Sequence, residues 1–196
     1  MAAVLEAASV VQRADGPEPA RRVLYLMGAP GTGKTTQGGR LAERLGGVHA
    51  SAGELVRQAQ ERGEAVPRHP RKRQLVDPQW IVARVAAEAR GAGLLLVDGF
   101  PRDPEHLEWA SGLGEAAGAI RLWVDFETAL DRMYDRGRTG EDVARIVHRR
   151  TFYEKHERAV LEALAARGLP VVAVDGRGAV EEVAERVGAA ACGLLG

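Results

Sequence analysis

Residues 22–37 read RVLYLMGAPGTGKTTQ. The first half, RVLYLM, is a continuous apolar run of strand length, the pattern of a strand buried on both faces. The second half spaces Gly28, Gly33, Lys34 and Thr35 as G-x-x-x-x-G-K-[ST], and a helical pattern follows. Glycines at such a strand-to-helix turn let the backbone bend sharply and bring its N–H groups around an anion at the positive end of the helix. The stretch therefore reads as a P-loop that holds the phosphates of a nucleotide through Gly28, Gly31, Gly33, Lys34, Thr35 and Thr36. Lys34 is expected to reach the β and γ phosphates, and the Thr35 hydroxyl to ligate Mg²⁺.

Working outward, short apolar runs continue to alternate with helical patterns. The helix after Gly33 is stopped by Gly46 and Gly47, and VHAS (48–51) is a short strand. Helices are expected over 53–63 and 77–91, with Pro78 at the start of the second, and GLLLVDGF (93–100) is a strand. A helix near 104–117, the strand AIRLWVDF (119–126), a helix from Glu127 and a long helix across 141–167 come next. The strand PVVAVDG (170–176) and a last helix from residue 179 close the pattern. Strands separated by helices give an α/β class: a P-loop fold with a five-stranded parallel sheet flanked by helices. Residues 1–21 are polar and rich in Pro, Gly and charge towards their end, which reads as a flexible leader before a single domain over 22–196.

Composition narrows the partners. The 27 Lys and Arg balance the 27 Asp and Glu, so no global field argues for nucleic acid or an anionic membrane. No apolar run approaches the roughly 20 residues of a membrane span. The N-terminal MAAVLEAASVV has no early basic residue and is broken by Glu6, which makes it a poor secretory signal. A lone cysteine, Cys192, excludes an intramolecular disulfide or a cysteine zinc cluster, fits a reducing cytoplasm and reads as a packed thiol. Trp80, Trp109 and Trp123 are assigned to core or helix packing.

A P-loop alone specifies only a nucleotide. The stretch DGFPR (98–102) adds a second element, because Asp98 ends a buried strand, where ligands gather in open α/β sheets. Its carboxylate can hold the metal through water, and Arg102, after a turn fixed by Pro101, can grip a second phosphate bidentately. Taken alone, DGFPR also fits a surface arginine after a turn. The run RHPRKR (68–73) carries five basic groups in six residues and fits either an exposed, solvated loop or a site for an anionic or larger acceptor.

GAPGTGKTTQ (28–37), SAGELVR (51–57), DGFPR (98–102), and RGRTGED with HRRTFY (136–153), in this order and spacing, resemble the adenylate kinase family of nucleoside monophosphate kinases, which includes the uridylate-cytidylate kinases. The resemblance covers about residues 22–190. It implies reversible transfer of the ATP γ-phosphoryl, with Mg²⁺ bound at Thr35 and Asp98, to AMP, CMP or UMP in a cytoplasmic, monomeric enzyme. It further implies a mobile acceptor-binding segment at about 52–80 and a short lid at about 136–142, without room for a zinc-binding insertion. Both should close only around substrates, which keeps water from the γ-phosphoryl.

Position by position, the resemblance assigns catalysis to Lys34, Arg102, Arg138 and Arg149, and ATP to the P-loop with Arg132 and Arg136. The acceptor falls to Ser51, Ala52, Arg57, Val76, Gly99, Arg102, His106, Arg138 and Arg149. A loose phosphoryl transition state leaves the protein positioning and positive charge to supply, so arginines rather than a nucleophile are what the chemistry asks for. There are three departures from the usual pattern. Ala52 stands where AMP-specific members carry Thr and pyrimidine-specific members Ala, and His106 stands where Gln or Asn reads the base. Gly140 and Glu141 stand where two acidic residues usually follow the lid arginine. Two other readings fit the motifs: a kinase for a modified nucleotide or another unusual phosphorylated acceptor, and a regulator that binds or hydrolyses ATP without an acceptor.

Overall fold

The computed structural model describes residues 21–137 and 142–196; the expected leader over 1–20 and the lid residues 138–141, Arg138 among them, lie outside the described residues. Five strands, β1 (Arg22–Met27), β2 (Val48–Ser51), β3 (Leu94–Asp98), β4 (Glu115–Trp123) and β5 (Val171–Asp175), form one sheet. Their order is β2-β3-β1-β4-β5 and every pairing is parallel. The expected P-loop α/β architecture is present.

Successive side chains of β1 point to opposite faces, and each set meets its own helices. Leu24 and Leu26 pack with Leu41 of α1 (Lys34–Leu45) and with Val183 and Val187 of α7 (Val180–Leu195). Val23, Tyr25 and Met27 pack on the other face, against α2 (Ala52–Glu61), α3 (Pro78–Glu88), α4 (His106–Ala110) and α6 (Val143–Ala165), through Leu55, Val85, Leu107 and Val160. The remaining helix, α5 (Phe126–Asp135), buries Ala129 and Met133. Local signals set the ends. Gly46 closes α1 with φ 64°, and the Asp77 carboxylate caps α3 by accepting from the Gln79 and Trp80 N–H groups. At the far end of β1, the Arg22 guanidinium donates to the carbonyls of Leu194 and Leu195, at 3.3 and 3.2 Å.

Three expectations are corrected. The helix near 104–117 is only α4 and a 3₁₀ turn at Ser111–Leu113, after which β4 begins at Glu115. Gly114 adopts φ 140°, where an added Cβ would lie 2.3 Å from the Arg21 carbonyl oxygen, and the Glu115 N–H donates to that same oxygen at 2.8 Å. Pairing with β1 thus takes over a segment whose local pattern is helical, and a register shift opposite Val23 and Leu24 absorbs the irregular start of β4. Cys192 lies exposed on α7 rather than packed. Trp109 and Trp123 are also exposed, and Trp123 carries the Arg177 guanidinium 4.7 Å above its ring. No helix among the described residues is long and apolar enough to cross a membrane.

Candidate active site

The loop after β1 is built on two glycines that nothing larger can replace. An added Cβ would lie 2.3 Å from the Leu122 carbonyl oxygen at Gly28 (φ 139°) and 2.5 Å from that of Ala129 at Gly31 (φ 86°). Lys34 stands at the first turn of α1 and its ammonium donates to the Ala29 carbonyl at 2.9 Å and the Thr32 hydroxyl at 3.4 Å. Beside it, the Thr35 hydroxyl donates to Asp98 Oδ2 at 2.6 Å. The two meet because β1 and β3 pair with Leu26 opposite Asp98, so the P-loop and the DGFPR turn leave the sheet side by side.

Two adjoining clefts open over these strand ends. One, of about 240 Å³, is lined by Gly28, Lys34, Thr35, Ser51, Asp98 and Arg136 among others. The other, of about 490 Å³, is lined by Ala52, Val56, Val76, Phe100, His106 and Arg145 among others. Arg57, Gly99, Arg102 and Arg149 line both, so three guanidinium groups stand where the clefts meet. Of the remaining sequence-derived residues, Gly31, Gly33 and Thr36 belong to the P-loop and the start of α1 but line neither cleft. Arg132 stands on α5, its guanidinium donating to the Gly176 carbonyl at 2.9 Å across the loop after β5.

Positive charge is crowded here. Enclosure by protein lowers the Lys34 ammonium from its usual range, and Arg102 and Arg149 push the same way, while Asp98 and Glu157 oppose them. A cleft in which cations depress one another is arranged to receive anions. Arg57 is held by Glu54, one helical turn before it.

In the basic run 68–73, Arg68, Arg71 and Arg73 are exposed, as a solvated loop would have them, but His69 and Lys72 are tied down. His69 is buried; its Nδ1 accepts from the Arg71 and Lys72 N–H groups, and its Nε2 lies 2.5 Å from a Glu105 carboxylate oxygen. The Lys72 ammonium bridges Asp103 at 2.6 Å and Glu105 at 3.1 Å. These bonds tie the segment between α2 and α3 to the turn that carries Arg102 and His106. His106 is 3% exposed and sits in a stack of rings, its centroid 5.0 Å from Phe100 and 6.1 Å from His69. Burial pushes its pKa down to about 4, against the pull of Asp103. The Arg102 backbone N–H donates to His106 Nδ1 at 3.3 Å, which places the imidazole proton on Nε2, a buried nitrogen with no partner among the described residues.

Sequence reasoning missed one group that the fold brings to the cleft. Tyr153, on α6, accepts a 2.5 Å hydrogen bond from the Gly28 N–H and donates to Glu157, which holds Arg121 of β4 bidentately at 2.9 and 2.7 Å. The available signals were Arg121, a charge in an apolar strand, and the place of Tyr153 at the end of HRRTFY.

A family model described as an AAA domain matches residues 27–147. The chain is 32% identical over 179 residues to the adenylate kinase of Synechococcus sp. (strain WH7803), an alignment covering 85% of this chain and 96% of that protein. It is 32% identical over 177 residues to the adenylate kinase of Corynebacterium glutamicum (strain R), covering 83% and 95%. It is also 29% identical over 197 residues to the UMP-CMP kinase of Lentinula edodes, covering 88% and 86%.

Two expected outcomes follow from this geometry. Lys34→Met removes a charge at the cleft rather than a core contact, so the protein should stay folded while phosphoryl transfer falls on the order of 10²-fold or more. A steady-state assay on protein checked by circular dichroism measures it; near-normal turnover would overturn the assignment of the loop. The buried neutral His106 should make stability fall as pH drops from about 6.5 towards about 4, because the unfolded chain takes up a proton that the folded imidazole refuses. The shift corresponds to about 3 kcal/mol once both states are protonated. Urea melts of wild type and His106→Gln across this window should show a shallower pH slope in the variant; equal slopes would mean that His106 is not the group responsible.

Proposed function

This chain belongs to the adenylate kinase family of nucleoside monophosphate kinases, and from that premise we propose that it transfers the ATP γ-phosphoryl to AMP, CMP or UMP, giving ADP and a nucleoside diphosphate. The observation that carries the reading is the pair of clefts meeting at Arg57, Arg102 and Arg149. One is floored by the P-loop and takes the donor; the other is large enough for a nucleotide and takes the acceptor. A regulator that only binds ATP has no use for a second cleft with guanidinium groups at the junction.

In this reading Lys34 and the P-loop amides hold the donor phosphates, Arg57 and Arg102 hold the acceptor phosphate, and Arg149, with Arg138 and Arg136 from the lid, surrounds the moving group. Arg132 packs on the ATP base. Two anions that repel in water are brought together by fixed positive charge, and enclosure strengthens each interaction. Thr35 and Asp98 present a hydroxyl and a carboxylate 2.6 Å apart at the edge of the donor cleft, hard oxygen ligands of the kind Mg²⁺ takes alongside phosphates and water. Bound there, Mg²⁺ would neutralise charge on the ATP phosphates. A cytoplasmic monomer, with a closing acceptor segment (52–80) and lid (136–142), completes the proposal.

His106 bears on which base is taken. Its Nε2–H is a single donor, buried in this arrangement, and it does not offer the paired donor and acceptor of an amide. Ala52 adds no hydrogen bond and gives a slight lean to pyrimidines. One lost buried partner accounts for about 1 to 3 kcal/mol, so AMP, CMP and UMP should differ by less than about 100-fold in kcat/KM.

A second reading, an acceptor that carries another anionic group, is favoured by the lining of the larger cleft: Arg68 and Arg145 join Arg57, Arg102 and Arg149, and among the described residues no carboxylate does. A coupled ADP-release assay with ATP, Mg²⁺ and a panel of nucleoside monophosphates and 3′,5′-bisphosphates separates the readings. A bisphosphate used more than about tenfold better than its matched monophosphate establishes the second, and ADP release independent of every acceptor would return the chain to the regulators. In the same assay Arg102→Ala should chiefly raise the acceptor KM, each charge-assisted hydrogen bond lost accounting for about 1.5 to 3 kcal/mol, while calorimetry should find ATP affinity little changed. Loss of ATP binding with acceptor binding intact would reverse the two sites.

A further inference from the structure

Arg121, Glu157 and Tyr153 make a chain of hydrogen bonds that begins in the sheet and ends on the P-loop backbone. Arg121 stands on β4 and grips both oxygens of the Glu157 carboxylate. Glu157 is 7% exposed, and its carboxylate accepts the Tyr153 hydroxyl proton at 3.0 Å. Burial, foremost, and the adjacent Glu157 raise the Tyr153 phenol well above its usual range, so it remains an O–H donor. With its proton committed to Glu157, the phenol oxygen turns its lone pairs to the Gly28 N–H. Each direction in the chain is fixed by the link before it.

We propose that this relay positions the catalytic machinery: it sets the P-loop in register with helix α6, which carries Arg149. Three observations support a positioning role rather than plain packing. Gly28 is the first residue of the phosphate cradle, and its amide meets a side chain from 125 residues away instead of a neighbouring turn. Arg149 and Tyr153 lie one turn apart on α6 and line the same cleft, so fixing the phenol also fixes the guanidinium. The Lys34 ammonium lies 6.0 Å from the centre of the Tyr153 ring, and Glu157 adds negative potential that supports the Lys34 charge. A shift of α6 relative to the P-loop would therefore change the distance between the donor phosphates and Arg149, the distance on which transfer depends most steeply. Tyr153 and Glu157 act through Gly28 and Arg149 and need not touch the reacting atoms.

The inference rests on the kinase assignment and is indifferent to the acceptor base. Wild-type acceptor-dependent ADP formation is measured first, which tests the assignment by itself. Tyr153→Phe keeps the ring and removes only the hydroxyl; kcat should fall about tenfold while the KM values for ATP and for the acceptor change less than threefold. Glu157→Gln, which keeps the shape and releases Arg121, should act in the same direction. Because both changes break one relay, the double variant should be no more than about twofold worse than the worse single one. A residue that only stabilises the fold would lower the melting temperature and leave kcat per folded molecule unchanged. The proposal is overturned by a fall in kcat of less than threefold in Tyr153→Phe, by a loss confined to the KM for ATP, or by single losses that multiply in the double variant.

Discussion

Parallel pairing of β1 with β3 puts Leu26 opposite Asp98, and this register is the constraint from which the site is built. Strand side chains alternate between faces, so a slip by one residue would carry Asp98 off the face it shares with Leu24, Leu26 and Leu96, away from Thr35, and bury a carboxylate among Val23, Tyr25 and Met27. The apolar packing of both faces forbids that slip. The P-loop and the DGFPR turn are thereby delivered to one edge, and the guanidinium groups of Arg57, Arg102 and Arg149 are gathered around them. Catalytic geometry here is a by-product of core registry: the sheet is held by leucines and valines, and the site inherits their precision.

That gathering opposes folding. Burial is the first cause of the lowered affinity of Lys34 for its proton, and repulsion from Arg102 and Arg149 adds to it; Arg102 in turn is repelled by Arg149 and Arg57. Asp98 and Glu157 relieve part of the repulsion from beneath, and Glu54 holds Arg57 aside. In the proposed reading the rest is left for phosphates to relieve, so the substrates would stabilise the arrangement that acts on them. The tie between the 68–73 segment and Asp103 and Glu105 works differently. It spends local positive charge on fixing the wall that carries His106, which leaves Arg68, among the basic side chains of that run, to line the larger cleft.

Sequence made the sheet legible because its signals are local: apolar runs of strand length, glycine stops at Gly46 and Gly47, a proline at the start of α3. The P-loop and Asp98 were legible for the same reason, since strand, turn and helix follow one another within a few residues. Where the reading failed, the deciding partner is remote. The 104–117 segment has a helical pattern, but Gly114 and Glu115 answer to the Arg21 carbonyl across the sheet. RHPRKR keeps the exposed arginines of a solvated loop, but what its composition did not show is that His69 finds Glu105, 36 residues on. Tyr153 ends the HRRTFY stretch but nothing there gives it a partner, Glu157 and Arg121 belong to no motif, and only the tertiary fold makes the three a relay. His106 was placed beside the acceptor cleft by its spacing from Arg102, but its burial in a stack of rings depends on His69 and Phe100.

The bonds from Arg22 to the carbonyls of Leu194 and Leu195 join the central strand to the last helix across 173 residues. On the ribosome, β1 emerges early and waits for β4, which pairs along its whole length, and then for α7, which covers Leu24 and Leu26. Until α7 is made, that face of the sheet is covered only in part, by α1, and the rest is an apolar surface open to chaperones or to another nascent chain. The strand that starts the phosphate loop is thus fully sheathed only when a helix about 150 residues further along the chain has docked, so the footing of that loop is completed by a remote segment rather than by its neighbours.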